Sequence, residues 1–581
     1  MNSKSIIKSI VFSRKKLIFS LFIMILFAAA FRIVTPLLLR TLVNRVVAQG
    51  ASVGDIILTS SLVLVVTAMT FILEANRVSK SSVLGSDISS ALNQQAYSTV
   101  LRSELLDFNR LDKEDTINKI IKNSEEIGTN YISRNLIPFI HYSFIFIGLL
   151  ATLLSIGPWF FLITLSTLPI YYFSIRMIKK ALKNSASRRD QAIENQNKLI
   201  NENFNKLKSV KLLNGIDTEE DKYSKLIRRI ERNNRKDYSL RNYSSGFASS
   251  FLVDIIFSIV IWVGAYSIII ENASEQIGTI LVSFMIIPQI FSSFEKLIDY
   301  KIHPDNIYGF AEELDEIYSL RPENRADTVQ QLDEIYSLKF KDVSFDYGIN
   351  TKFNLDGIDF EIKKGERLGI LGMANSGKTT ISDLLTKIIR PKSGSILLNN
   401  CDLNKINSYY LRELITVVTQ SNQIINDTIE HNITYPLPFD EYKYNDALNK
   451  TGLKSIIANL DKKDQTFISS NSKVLTESEK QIVSIANAFY KDSKIFIIDE
   501  ATSKLDLKTE LDIINEFYKL KNKIMIVMSN RIANLIKCDK IIVLNNGRIV
   551  EYGKTSELLS DQKSALYRMT KDTDKVKSRL S

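Results

Sequence analysis

Six stretches of this chain, residues 17–39, 55–74, 135–156, 158–178, 246–270 and 277–294, are predominantly apolar. Each is about as long as a helix must be to cross a bilayer core of roughly 30 Å. In hydrocarbon every backbone polar group needs a partner within its own segment, so such stretches fold as helices. One of them alone could be the core helix of a soluble domain. Six in the first half of the chain would need a far larger soluble fold to cover them, so that half reads as an all-α membrane domain. Lys4, Lys8, Lys15 and Lys16 precede the first stretch, and Lys179, Lys180, Lys183, Arg188 and Arg189 follow the fourth, whereas the loop from Glu271 to Gln276 is acidic. That asymmetry places the N-terminus in the cytoplasm. The first stretch is long and lacks a small-residue cleavage pattern behind it, so it is expected to remain as a span.

At 581 residues, with an apolar front and a mixed, charged back, the chain divides into two domains. The expected limits are residues 1–318 for the membrane domain, 319–334 for a polar linker containing RPENRADTVQQ, and 335–571 for a second domain. The segments 76–134 and 179–244 separate spans on the cytoplasmic side and are too long for simple connections. They carry helical apolar spacing, as in LNQQAYSTVLRSELLDF. They are expected to be helical extensions of the spans, with tips near 108–118 and 212–222 that dock onto the second domain. The net charge of +11 does not point to nucleic acid. The basic residues gather beside the spans, where anionic inner-leaflet lipid accounts for them. Cys401 and Cys538 are too few and too far apart for a metal site, and a cytosolic domain keeps them reduced.

The second domain announces its chemistry at Gly372–Thr379, GMANSGKT, between the apolar run RLGILG and the helical pattern TISDLLTKII. Glycines let the backbone turn sharply and aim N–H groups at phosphate oxygens. Lys378 is placed to reach the β- and γ-phosphates and Thr379 to hold Mg²⁺. Asn375, Ser376, Gly377 and Thr380 complete the loop and open the helix, whose N-terminus favours an anion. About 120 residues later, KIFIIDEATSKLD gives a buried parallel strand, Ile495 to Ile498, that delivers Asp499 and Glu500 at its C-terminal end. Asp499 suits a water-mediated hold on Mg²⁺. Glu500 is the candidate general base for the attacking water. The ligands implied are ATP and Mg²⁺.

This order of elements resembles an ATP-binding cassette exporter of the six-span half-transporter type, over essentially the whole chain. The resemblance implies the type I exporter fold, an all-α six-helix domain followed by an α/β P-loop nucleotide-binding domain, in a multi-pass protein of a bacterial plasma membrane. It also implies roles for further residues. Tyr347, in VSFDY, would stack on adenine. Gln420, in VVTQSNQ, would sense Mg²⁺ and face the membrane domain. SKLD, Ser503 to Asp506, would cross the dimer interface, and INENFNKLKSVKLLNGIDTEED resembles a second coupling loop.

Two departures from the family pattern stand out. A Leu-Ser-Gly-Gly-Gln signature normally clamps the γ-phosphate of the partner's site through a hydroxyl, glycine N–H groups and a helix N-terminus. Here the aligned residues are Leu475, Thr476, Glu477, Ser478 and Glu479. Glu477 and Glu479 add charge beside an anion, and unit like charges about 5 Å apart at an effective dielectric near 20 repel by about 3 kcal/mol. The family also expects a histidine after the last core strand, where this chain has Asn530. Asn donates a hydrogen bond but carries no proton charge into the transition state. The segment TFISSNSK lacks the acidic and glycine residues of related cross-talk loops, and Asn375 stands where glycine is usual, a position Asn tolerates best after Gly.

Head-to-tail packing of two nucleotide domains would pair every phosphate loop of a homodimer with LTESE. A heterodimer with a second half-transporter that supplies an intact signature is therefore expected, with a homodimer as the alternative. The function implied is an ATP-driven exporter subunit for an amphipathic peptide, lipid or drug. A weakly hydrolysing, ATP-gated regulatory membrane protein is the other class. Within the spans, Arg32 and Asp254 are ionisable and mark a candidate substrate path.

Overall fold

The computed structural model describes residues 3–47, 52–244, 252–271, 277–302, 304–323, 332, 334–348, 354–421 and 423–569. They form two compact units, Met1–Leu101 with Leu111–Leu320, and Arg102–Arg110 with Arg321–Ser581. Most of the loop Glu271 to Gln276 and of RPENRADTVQQ, and the first residues of the stretch 246–270, lie outside the described residues.

The first unit is helical. Among the described residues five helices are long and apolar enough to span a bilayer: Lys15–Val46, Val53–Leu101, Asp115–Ile156, Pro158–Met177 and Gly278–Ile298. The remaining apolar stretch falls on the helix Leu252–Glu271, of which Asp254–Val263 registers as a shorter apolar helix. Large apolar side chains such as Phe19, Leu64, Phe71, Trp159 and Trp262 face outward, as lipid-facing residues must. The other face of the bundle is packed: Ile145, Leu149, Leu153, Val260, Ile286 and Ile290 are all fully buried in one cluster.

Two helices run far past their apolar segments, Val53–Leu101 with 49 residues and Pro158–Asn205 with 48. At 1.5 Å per residue each is about 70 Å long, against roughly 30 Å of hydrocarbon. The polar segments after the second and fourth spans are therefore the helical extensions that their spacing suggests. Residues Glu126–Leu136 depart from this regularity as a π-helix, which runs into the helix Ile137–Ile156. There the Ser81 hydroxyl donates to the Ser133 carbonyl at 2.9 Å, a buried small-residue seam that hydropathy alone does not reveal.

The first loop tip lies earlier than 108–118. Residues 102–110, with the short helix Leu105–Phe108, belong to the second unit. Glu104 pairs with Arg390 at 2.7 Å, Arg321 donates to Asp107 at 3.0 Å, and Leu106 packs against the nucleotide-domain core. Arg412 grips Glu323 through two hydrogen bonds of 3.0 and 2.8 Å. The start of the expected linker is thus fastened in place rather than loose. The second tip is the helix Leu207–Leu212, within the first unit.

Among the described residues the second unit has twelve strands: β1 Ser337–Asp346, β2 Asn354–Lys363, β3 Arg367–Leu371, β4 Ser393–Leu398, β5 Cys401–Asp402, β6 Ile415–Thr419, β7 Asp427–Thr428, β8 Phe467–Ile468, β9 Ile495–Asp499, β10 Ile524–Ser529, β11 Lys540–Asn545 and β12 Arg548–Lys554. One antiparallel sheet has the order β2-β1-β4-β5. A six-stranded sheet has the order β12-β11-β3-β10-β9-β6 and is parallel except at β12. Its central parallel strands are near-continuous apolar runs because both faces are covered, whereas the edge strand β12, RIVEYGK, alternates between exposed and partly buried residues. Alternate residues feed two cores: Ile495, Ile497, Ile524 and Ile526 enter one, while Phe496, Ile498, Met525 and Val527 enter the other.

Register shifts between Lys341 and Ser344 bend β1 against β4. Gly394 lies against that bend with φ of +80°, and a Cβ there would stand 2.1 Å from the Asp342 carbonyl oxygen. Gly452 is also left-handed, at +69°, but has open space around it. Gly394→Ala is expected to cost more than about 1 kcal/mol and clearly more than Gly452→Ala, because only the first adds a backbone clash to the strain. Thermal unfolding of the purified full-length variants checks the order; equal shifts would refute it.

Candidate functional site: a nucleotide site on one edge of the parallel sheet

The register of the parallel strands assembles the site. Leu371 pairs with Ser529, Met528 with Asp499, and Asp499 with Thr419. The four strands therefore end in one row, and the residues that follow are Gly372, Asn530, Glu500 and Gln420. This is the carboxyl edge where open α/β sheets bind ligands.

After β3 the loop turns through Asn375 at φ +61° and Gly377 at +113°. Asn375 thus adopts the left-handed conformation that its side chain tolerates better than most. Gly377 opens the helix Lys378–Leu385 without a side-chain cap, so first-turn N–H groups face the loop. Ser376 is buried and its hydroxyl has no protein partner. An uncapped helix start, a left-handed turn and a buried unpaired hydroxyl fit a phosphate chain. Lys378 is buried, its ammonium donating to the carbonyls of Gly372 at 2.7 Å and Met373 at 2.9 Å, and it lies 3.3 Å from Glu500 Oε1. The Thr379 hydroxyl donates to Asp499 Oδ2 at 2.8 Å, joining two of the three residues expected to hold Mg²⁺. Tyr347 is exposed, edge-on to Phe345, with its hydroxyl 3.1 Å from that of Thr380.

Glu500 takes a left-handed φ of +48° and its N–H donates to the Met528 carbonyl at 3.1 Å. Strain at a non-glycine residue persists only where its surroundings hold it, and it aims this side chain at Lys378. Gln420 and Asn530 are both exposed. Gln481, fully buried on the helix Glu477–Lys491, donates to the Thr419 carbonyl at 2.9 Å, a link to the Gln420 loop that sequence inspection passes over.

The residues 475–479 have their own geometry. Leu475 is buried, and Thr476 caps the helix Glu477–Lys491 in a reciprocal capping box with Glu479. Thr476 Oγ1 accepts from the Glu479 N–H at 3.2 Å, while the Thr476 N–H and hydroxyl donate to Glu479 Oε2 at 2.8 and 2.9 Å. The hydroxyl that would address a γ-phosphate is engaged by a carboxylate of its own helix. Glu477 is exposed, and its contacts with Lys480 and then Lys504 hold its carboxyl below the usual range. Ser478 donates to the Lys504 carbonyl at 2.7 Å, tying this helix to SKLD.

Family models for the ABC transporter transmembrane region and for the ABC transporter domain match residues 17–294 and 355–503. The chain belongs to the ABC transporter family. An ATP-dependent lipid A-core flippase of Paraburkholderia xenovorans (strain LB400) is 26% identical over 476 residues, 81% of this chain and 79% of the relative. One of Burkholderia pseudomallei (strain K96243) is 28% identical over 404 residues, 68% of this chain and 67% of the relative. The structure of a bacterial Atm1-family ABC exporter with ATP bound superposes with a TM-score of 0.80 at 20% identity, covering 96% of this chain and 98% of that one. This ABC exporter has the type I fold, a helical membrane domain followed by an α/β nucleotide-binding domain. It is a multi-pass membrane protein with its nucleotide-binding domain in the cytoplasm, and it couples ATP hydrolysis to transport.

Of the two in-span charges, Arg32 donates to Gln289 on the helix Ile277–Ile302 at 3.2 Å, and Asp254 is exposed. They are not each other's partner. Sequence inspection missed a second cluster: Glu74 accepts from Arg77 at 3.0 Å and lies 3.1 Å from His141, with Arg77 and His141 both buried. It spans two helices, so no local spacing announces it.

Asp383, on the phosphate-loop helix, is pushed up to about 6 by burial and then by the charge of Asp499, whose own carboxyl burial also raises. The folded protein therefore binds this proton more tightly than the unfolded chain. That contribution is full below the ordinary aspartate value near 4 and is lost as pH rises through about 6. Asp383→Asn is expected to gain stability over the native chain as pH goes from 4 to 7, by on the order of 2 kcal/mol. Thermal midpoints at both pH values check it, and a pH-independent difference would refute it.

Proposed function

We propose that this ABC exporter subunit moves a lipid-like amphiphile outward across a bacterial plasma membrane, as one half of a heterodimer with unequal ATP sites. Its relatives named as lipid A-core flippases favour lipid among amphipathic substrates. Residues 1–318 serve as the transmembrane domain, 319–334 as the connection and 335–571 as the nucleotide-binding domain. Tyr347 stacks on adenine. Gly372, Asn375, Ser376, Gly377, Lys378 and Thr380 hold the phosphates, and Thr379, Gln420 and, through water, Asp499 would hold Mg²⁺. Bound there, Mg²⁺ would offset charge on the phosphates. Glu500 takes the proton from the attacking water, and Asn530 donates a hydrogen bond beside it.

The observation that carries the unequal-site reading is the capping box of Thr476 and Glu479. A helix N-terminus already served by its own carboxylate offers little to a second anion, and Glu477 adds like charge. A partner with an intact signature would complete the site formed by Lys378 and Glu500. Glu500→Gln is expected to leave ATP binding intact and lower steady-state turnover by about 10²-fold or more. Unchanged turnover in the assembled complex would move hydrolysis to the partner's residues. Asn530→His should raise hydrolysis in the complex and do little in the chain alone. An equal, large gain in both would sink the heterodimer and leave two copies of this chain as the assembly. Turnover too weak in every assembly to support transport would favour the regulatory reading.

Asp254 is proposed to line the inward-facing cavity and to favour cationic groups on the substrate, and Arg32 to mark the same path. Its exposure on an otherwise apolar helix supports this. Asp254→Asn should weaken stimulation of ATPase by a cationic amphiphile and leave nucleotide affinity alone. Unchanged stimulation would remove it from the path.

A further inference from the structure

Glu510 is a buried carboxylate with no part in the steps above. It lies on the helix Leu507–Tyr518, 2% exposed, and its two oxygens gather three donors. The Thr502 hydroxyl donates to Oε1 at 2.8 Å and the Asn534 amide to the same oxygen at 2.9 Å, while Arg531 Nη1 donates to Oε2 at 3.3 Å. A buried carboxylate is costly unless such donors meet it, so the cluster holds together as a unit. A satisfied ion pair of this kind is commonly plain scaffolding. The origin of its donors distinguishes this one. Thr502 stands two residues beyond Glu500, and Arg531 directly follows Asn530. A single carboxylate thus fastens the loop bearing Glu500 to the loop bearing Asn530.

We infer that Glu510 is a positioning residue for ATP hydrolysis: through Thr502 and Arg531 it fixes Glu500 and Asn530 relative to one another. Glu510 is buried behind the two loops, so it acts through Thr502 and Arg531. Misplacing a base by an ångström costs rate without changing how nucleotide is held elsewhere, so the signature is a kcat effect. The inference rests on the roles proposed for Glu500 and Asn530.

The test uses the full-length chain in lipid nanodiscs, assembled with its partner half-transporter and alone, with ATP as the probe; the kcat values are those of whichever assembly turns over faster. Glu510→Gln presents an amide N–H₂ where an acceptor is needed. It should lower kcat about tenfold or more with KM for ATP within about twofold. Thr502→Val, close to isosteric, guards against a variant that fails to fold. It should lower kcat several-fold, and Thr502→Ser, which keeps the hydroxyl, should restore most of that loss. Amide exchange of residues 500–506 and 529–535 should rise together in Glu510→Gln and in Thr502→Val. Exchange reports the fastening whether or not Glu500 is the base, so its failure is distinct from failure of the catalytic assignment. Unchanged exchange, a rise in one loop only, or equal losses of kcat in the Val and Ser variants would overturn the proposal.

Discussion

The row of hydrogen-bonded pairs that ends β6, β9, β10 and β3 is what the nucleotide site depends on. Side chains alternate along a strand, so a slip of one residue would turn Asp499 from the ligand edge into a core. The apolar strands leave that slip no room, because alternate residues of β9 and β10 fill two separate cores. Chemistry at the edge is thus specified by packing in the middle. The short distances between Thr379 and Asp499 and between Lys378 and Glu500 follow from that register.

The same chemistry explains how the residues 475–479 differ from the phosphate loop. Both place a helix N-terminus where an anion could bind, yet one start is uncapped and the other carries a complete capping box. A capping box stabilises a helix by using up the donors that make its N-terminus attractive to anions. Stability of that helix and its attraction for a second anion therefore oppose each other in this chain.

Much of this was legible in the residues. GMANSGKT lies between a strand and a helix as its flanking patterns require, and Asn375 takes the left-handed turn expected of it. Asp499 and Glu500 end a buried strand because four consecutive apolar residues precede them. What stayed hidden depends on side chains distant in sequence. Glu510 looks like one more charged residue on an amphipathic helix until Thr502, Arg531 and Asn534 are seen around it. Glu74, Arg77 and His141 gather in the same way. The first loop tip was misplaced because helical spacing runs on through Leu101, and nothing in composition marks that 102–110 leaves one unit for the other.

That excursion affects how the protein is made. Residues 102–110 supply Glu104, Leu106 and Asp107 to a unit whose remaining chain starts only at Arg321. At about 5–20 residues per second, the roughly 210 residues between them occupy the ribosome for on the order of 10–40 s. During that interval the apolar Leu106 waits in the cytoplasm for a surface not yet synthesised. The nucleotide-binding unit is translated mostly after residues 111–320 and takes in a segment made before them. Docking of residues 102–110 onto it is consequently conditional on the second and third spans having been inserted the right way round.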